Sequence, residues 1–362
     1  MHSLSESSSR TTAKKCRSRC KTAVKISLFL LCQIVTFVAI FAFLVFPLLV
    51  FSVPTVIVKM FFLNFRRMPL TDYMNVSAND VRSVGRAFYL RGEEGNIGVW
   101  HVLPLSLSSM YREKGVHPTD DEMETLLSEE KYPIILYLHG NSFDRAISHR
   151  VQLYNVLTTL GYHVITFDYR GYGDSDGYPS EQGLVNDSLL VYDYVKNLCV
   201  KNLVIIWGHS MGSGVATKLA MDLSIDGRPP HGLVLESPFN NLRDVIMNHP
   251  LSLSVRWMPE SLVQRLIVQP LKKVGLIMKT DERITNVDCP ILILHAVDDP
   301  VIPVKLARKL RNAGLASSRD IKYLEFEEER NYRHKFIYVA PELRKIIPDF
   351  VAHCRVMRKV SV

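Results

Sequence analysis

The longest apolar stretch of the chain lies near its start. Residues 26–58 (ISLFLLCQIVTFVAIFAFLVFPLLVFSVPTVIV) contain no charged side chain. Beyond them the pattern changes to short apolar runs separated by longer amphipathic stretches. The runs PIILYL (133–138), HVITFD (163–168), LVIIWG (203–208), GLVLE (232–236), ILILH (291–295) and IKYLEF (321–326) read as buried strands. Helical periodicity lies between or beyond most of them, at about 147–160, 180–198, 211–223, 303–313 and 341–357. Ser180 followed by Glu181 reads as an N-cap and first turn. Residues 84–90 and 96–103 read as two further strands, split by the turn-rich Gly92-Glu-Glu-Gly95-Asn96. The polar, acidic stretch 111–131 reads as a loop. Strands of five or six apolar residues alternating with helices predict a mostly parallel α/β sheet with helices on both faces. Residues 240–288 break the alternation. They hold helical pieces without a clear strand and are expected to form a cap over the carboxyl ends of the strands, where α/β ligands bind.

As a straight helix, residues 26–58 would be roughly 50 Å long against a hydrocarbon core of about 30 Å, so they can span a bilayer. Pro47 and Pro54 predict a kink or helix end in the second half. The run is more than twice a signal-peptide core and lacks a small-x-small cleavage site, which favours a retained anchor. Composition then becomes informative. The 362 residues carry a formal charge of +8. Residues 1–25 hold seven of the 44 bases and one of the 36 acids (Glu6), a net of +6, which leaves only +2 for the other 337 residues. The basicity belongs to a tail, and the rest of the chain has no electrostatic case for nucleic-acid binding. Seven bases before the span, against Lys59, Arg66 and Arg67 after it, predict a cytosolic tail (1–25), an anchor (26–58) and a lumenal domain (59–362). This is a single-pass type II arrangement, expected in the endoplasmic reticulum.

Cysteine usage adds little. Cys16 and Cys20 lie in the tail and Cys32 in the span. The tail pair are palmitoylation candidates, with unmodified thiols the simpler reading. Cys199, Cys289 and Cys354 follow no zinc spacing, and neither a metal nor a cofactor is called for. Of two sequons, Asn75-Val-Ser sits in a polar loop and is the glycosylation candidate. Asn186-Asp-Ser falls inside an apparent helix and reads as a chance match.

The strongest chemical signal is Gly208-His209-Ser210-Met211-Gly212, between an apolar strand and a helix. A strand–turn–helix Gly-x-Ser-x-Gly exposes the serine oxygen on a sharp turn, and its glycines avoid clashes there. Such a nucleophile takes its partners in the order Ser, acid, His. His334, in a loop after the last strand, is the candidate base; His353 follows too but lies in a helical stretch. The acid comes from the turn after ILILH, with Asp299 preferred and Asp298 the alternative. The oxyanion donors would be the N–H of Met211 and, in the His139-Gly140-Asn141-Ser142 loop, that of Asn141. His163-x4-Asp168 imitates an acyltransferase spacing, but a strand turns those two residues to opposite faces. His139 and His209 read as packing residues. Residues 168–174 lack the Lys of a phosphate loop, which argues against a nucleotide. In the insertion, Trp257, Met258 and Leu262 read either as core or as lining for an acyl channel. Residues 59–67 (KMFFLNFRR), just beyond the anchor, could dock the domain at the interface.

The segments NIGVWH (96–101), YPIILYLHGN (132–141), GYHVITFDYRGYGDS (161–175), WGHSMGSGVAT (207–217), LESPFNNLRD (235–244), ILILHAVDDPVIP (291–303) and NYRHKFIY (331–338) carry a family likeness. From about residue 56 to 350 the chain resembles the membrane-anchored lysophosphatidylserine lipase branch of the α/β-hydrolase-domain proteins. The resemblance implies an α/β-hydrolase fold and a serine hydrolase that cleaves the acyl ester of lysophosphatidylserine and of monoacylglycerols. It carries the roles of nucleophile, acid and base onto Ser210, Asp299 and His334. One departure is visible: after HGN the family pattern has small residues, where this chain has Ser142-Phe143-Asp144-Arg145. A protein-acyl thioesterase with the same triad is the alternative reading.

Overall fold

The strands are set by residues that bury on both sides. In the computed structural model, which describes residues 3–46, 53, 58–59, 61–65, 70–250 and 257–360, eight strands form one sheet. They are β1 (Gly85–Gly92), β2 (Gly95–Val102), β3 (Ile134–Leu138), β4 (His163–Phe167), β5 (Val204–His209), β6 (Gly232–Glu236), β7 (Ile291–Ala296) and β8 (Ile321–Phe326). Their spatial order is β1-β2-β4-β3-β5-β6-β7-β8, with β2 antiparallel to both neighbours and every other pairing parallel. β3 to β7 are buried at every residue, which is why their sequences run apolar without alternation.

Alternate residues still go to opposite faces. Leu136, Ile206, Leu235 and Ile293 enter one core, whereas Tyr137, Trp207, Val234 and Leu292 enter the other. The first face is covered by α3 (Glu181–Leu198), α4 (Met211–Ile225) and α6 (Val304–Ala316), through Val191, Leu219 and Leu310 among others. The second is covered by α2 (Ser148–Thr159) and α7 (Leu343–Val360), through Tyr154, Leu157, Ile347 and Phe350. A short helix, α5 (Leu242–Asn248), opens the insertion. The N-cap expectation holds: the Ser180 hydroxyl accepts from the Gly183 N–H.

Two regions need comment. The stretch 111–131 is not a plain loop. A helix at Leu105–Glu113 runs into it, and another occupies Asp120–Leu126. The second is closed by a capping box in which the Thr119 side chain accepts from the Glu122 N–H and Glu122 accepts from Thr119 N–H. Only Met123 and Leu127 bury deeply there, so an acidic surface hid a short amphipathic helix. The insertion contains no strand among the described residues. It has short helical turns at Glu260–Val263, Gln264–Val268, Gln269–Lys273 and Thr280–Arg283. Residues 251–256 of it lie outside the described residues, as do Pro47, Pro54, Arg66 and Arg67.

At the N-terminus, α1 (Ser3–Ile40) continues through a π-turn at Phe41–Val45. Its segment Lys21–Val45 is long and apolar enough to cross a membrane, and is not buried against the rest of the chain.

The core also holds an acid. Glu236, at the end of β6, is 3% exposed and accepts from Trp207 Nε1 at 2.9 Å. Burial pushes its carboxyl up from 4.5 to about 7, against the smaller pull of the indole bond. The unfolded chain ionises this group first, so stability falls as pH rises from about 4.5 to about 7 and stays lowered above that. At roughly 1.4 kcal/mol per unit the loss reaches about 3 kcal/mol. Glu236→Gln removes it. The melting temperature of the variant should exceed that of the parent at pH 8, with the gap closing by pH 5.

Candidate active site

β5 ends at His209 and α4 begins at Met211, so Ser210 alone makes the turn between them. It does so at φ 53° and ψ −120°, outside the regions an L-residue prefers. Such a conformation costs on the order of 1–3 kcal/mol and persists only where neighbours enforce it. Two glycines do so here. A Cβ at Gly208 would sit 2.4 Å from the Gly212 carbonyl oxygen, and one at Gly212 would sit 2.2 Å from that of Leu138. Side chains at either place would push β5, α4 and the end of β3 apart. The Ser210 N–H donates to the Glu236 carbonyl at 2.9 Å, tying the turn to β6 as well.

Three side chains converge at this turn. His334 Nε2 lies 2.9 Å from Ser210 Oγ, and His334 Nδ1 lies 2.7 Å from Asp299 Oδ2. All three residues are buried. Asp299 follows β7, and its Oδ1 accepts from the Val301 and Ile302 N–H groups at 2.8 and 2.9 Å, which leaves Oδ2 to the imidazole. Burial, the largest single influence, would raise this carboxyl, but His334, His295 and the Ile302 N–H together outweigh it and hold the group below the usual carboxylate value. Asp298 turns away and accepts from the Arg333 N–H at 3.0 Å, supporting the loop that carries His334. Of the two acids the sequence left open, the geometry joins Asp299 to the histidine.

Three buried histidines around the site act as neutral spacers. His209 Nε2 donates to the His334 carbonyl at 2.8 Å, His139 Nδ1 to the Gly140 carbonyl at 2.8 Å, and His295 Nε2 to the Ile302 carbonyl at 2.9 Å. Burial pushes all three below their ordinary value. His163 meets His101 at 3.0 Å, and Asp168 pairs with Arg145, so the two do not form an acid–base pair. His353 lies on α7 beside Asp320, exposed.

The loop after β3 is shaped by contacts the sequence did not announce. The Asn141 side chain accepts the Ser142 N–H at 2.8 Å, and its Nδ2 donates to the Phe61 carbonyl. The Tyr172 hydroxyl lies within bonding distance of both the Phe62 carbonyl and, at 3.0 Å, Asn141 Oδ1. Asn64 Nδ2 donates to the Gly171 carbonyl at 3.2 Å. Arg145, in the departure from the family pattern, is buried between Asp168 and Asp174. Arg150 donates to three carbonyls of the same loop. The acceptors in most of these bonds are main-chain atoms, which leave no residue-type signal. The cleft at Ser210 is lined by Asn141, Phe143, His149, Arg150, His334 and Lys335 among others. Trp257, Met258 and Leu262 do not line it. Met258 is buried in the core, Trp257 packs edge-on to Phe43 of the N-terminal helix at 6.1 Å, and Leu262 is exposed.

The arrangement can be set beside known proteins. The family profile described as serine aminopeptidase, S33 (Hydrolase_4) matches residues 131–284. Lysophosphatidylserine lipase ABHD12 of Danio rerio is 40% identical over 310 residues, which cover 84% of this chain and 79% of the relative. The Rattus norvegicus protein of that name is 42% identical over 327 residues, covering 89% and 79%. The chain belongs to the lysophosphatidylserine lipase ABHD12 family. Homo sapiens Protein ABHD12B is 37% identical, with 73% of this chain and 72% of that one covered. The fold neighbours include the Pyrococcus furiosus esterase Pf2001 (TM-score 0.54, 16% identity, 76% of this chain and 92% of that one). Another is an alpha-beta hydrolase from Vibrio vulnificus (TM-score 0.55, 17% identity, 79% and 96%). The ABHD12-family chain is thus an α/β-hydrolase fold and a carboxylic-ester hydrolase with lipase function.

The glycine argument gives a direct test. Gly212→Ala places a methyl against the Leu138 carbonyl and should cost about 3 kcal/mol. Urea unfolding of the variant should show that loss, while Gly227→Ala, in open space though at φ 70°, should cost less.

Proposed function

We propose that this chain is a membrane-anchored lipase that cleaves the single acyl ester of lysophosphatidylserine, and of monoacylglycerols, through Ser210, His334 and Asp299. The observation that carries the reading is the unbroken relay from Asp299 through His334 to Ser210, at 2.7 and 2.9 Å. His334 takes the hydroxyl proton as Ser210 attacks the ester carbonyl, and Asp299 holds the imidazolium that forms. The oxyanion is met by the N–H of Met211, the first residue of α4, where helix N–H groups lack intrahelical partners. The second donor is the Asn141 N–H. The neighbouring Ser142 N–H is already engaged by the Asn141 side chain. Collapse of the tetrahedral intermediate passes the proton from His334 to the alcohol, which leaves as the headgroup glycerol. Water activated by the same imidazole then releases the fatty acid and restores Ser210.

The substrate is supported by the lysophosphatidylserine lipase activity for which the ABHD12 relatives are named and by the resemblance in the sequence. A substrate held in a bilayer also suits a chain whose Lys21–Val45 helix can span one. The tail bases orient the anchor as type II, with residues 59–362 in the lumen of the endoplasmic reticulum and 240–288 as the cap. Asn75 is then on the glycosylated side. It is exposed and caps the turn Val76–Asn79, whereas Asn186 lies in α3 and donates to Glu93.

Ser210→Ala should abolish fluorophosphonate labelling and release of fatty acid from lysophosphatidylserine in membranes; retained hydrolysis would remove the reading. Asp299→Asn should lower turnover by about 10⁴-fold, and Asp298→Asn by under about tenfold. For topology, Asn75→Gln should eliminate a glycosidase-sensitive gel shift, and the domain should resist protease in sealed microsomes. Digestion there would place the site in the cytosol and favour the thioesterase reading.

A further inference from the structure

Arg150 lies in the first turn of α2, 2% exposed, and lines the same cleft as Ser210. Its Nη1 donates to the Asp144 carbonyl at 2.6 Å, and its Nη2 to those of Gly140 at 2.8 Å and Ser142 at 2.9 Å. All three acceptors belong to the loop between β3 and α2. Apolar packing alone does not account for a guanidinium here, because burying a charge is costly and an aliphatic side chain would fill the volume.

The Gly140 carbonyl is the informative acceptor. It shares one planar peptide unit with the Asn141 N–H, and in a trans peptide the two point in opposite directions. The described residues contain no cis peptide. A cation that holds this carbonyl therefore aims the Asn141 N–H away from itself. It also polarises the unit, making the N–H a stronger donor. His139 Nδ1, at 2.8 Å, is a second donor to the same oxygen. The rest of the loop needs a clamp. Ser142 and Phe143 stand at φ 61° and 56°, left-handed conformations that non-glycine residues adopt at a cost. The planar fork meets the three carbonyls from two separate nitrogens, whereas a lysine ammonium would have to meet them all from a single nitrogen.

We propose that Arg150 is a positioning residue that aims and polarises the Gly140–Asn141 peptide as an oxyanion donor for ester cleavage at Ser210. The proposal rests on the reading of Ser210 as nucleophile. It is tested with the full-length chain in detergent, as Arg150→Lys and Arg150→Ala, using a soluble short-chain ester. Turnover should fall about 10²-fold, the loss typical of an oxyanion donor, with KM within about threefold of the parent. A trifluoromethyl ketone, which forms a tetrahedral adduct on serine, should lose affinity in proportion to the loss in kcat/KM. Methylguanidinium should restore part of the turnover of Arg150→Ala. If Arg150→Ala does not fold, Arg150→Lys alone decides. A folded variant with parental kcat overturns the proposal, and so does one whose kcat falls while ketone affinity is unchanged. Failure of the parent to label at Ser210 with a fluorophosphonate is a separate result, because it removes the nucleophile itself.

Discussion

The site depends on one backbone constraint, the reversal of the chain at Ser210. A residue at φ 53° between a strand and a helix is held only if both elements approach closely. Gly208 and Gly212 allow that approach, with the Gly212 Cα facing the last carbonyls of β3. The rest of the geometry follows from strand direction. β5, β6, β7 and β8 are parallel, so the chain leaves all four at the same edge of the sheet. Ser210 after β5, Asp299 after β7 and His334 after β8 therefore meet, although 124 residues separate the serine from the histidine.

Much of this was legible because it was written in side-chain types. Strands β3 to β7 read as apolar runs since both faces are buried, and the elbow read as glycines at fixed offsets. The choice between Asp298 and Asp299 was legible only as a preference for Asp299, since spacing does not reveal which carboxylate the following N–H groups engage. Val301 and Ile302 hold Asp299 toward His334, whereas Asp298 is held by the Arg333 N–H. The roles of Asn141, Tyr172 and Arg150 were hidden for a different reason. Their partners include the carbonyls of Phe61, Phe62, Gly140, Ser142 and Asp144, and any residue presents a carbonyl. The helix at Asp120–Leu126 was missed because its acidic face outweighed two buried residues, although Thr119 and Glu122 carried its cap in plain view.

The charges around the site divide the labour between framework and chemistry. Arg145 between Asp168 and Asp174, and Arg170 on Asp187, stitch the loops after β3 and β4 to each other and to α3. The site histidines His139, His209 and His295 are kept neutral by burial and spend their N–H groups on carbonyls. Their basicity, lowered by burial, leaves them as fixed donors that compete poorly with His334 for the serine proton. Of the histidines near Ser210, His334 alone is placed with one nitrogen on Ser210 and the other on a carboxylate.

The same physical logic reaches back to the N-terminal helix. Phe61, Phe62 and Asn64 lie just beyond the apolar span, and their carbonyls or amide meet Asn141, Tyr172 and Gly171. Phe62 is fully buried in the core beneath these loops, so the segment is built into the domain and is more than a tether. Without it the Asn141 amide would lose an acceptor beside the cleft, and a buried polar group left unpaired costs about 1–3 kcal/mol. Trp257 meets Phe43 at the far end of the helix, so the insertion is also in contact with the span. The segment just beyond the apolar helix therefore also fixes the loop that faces Ser210.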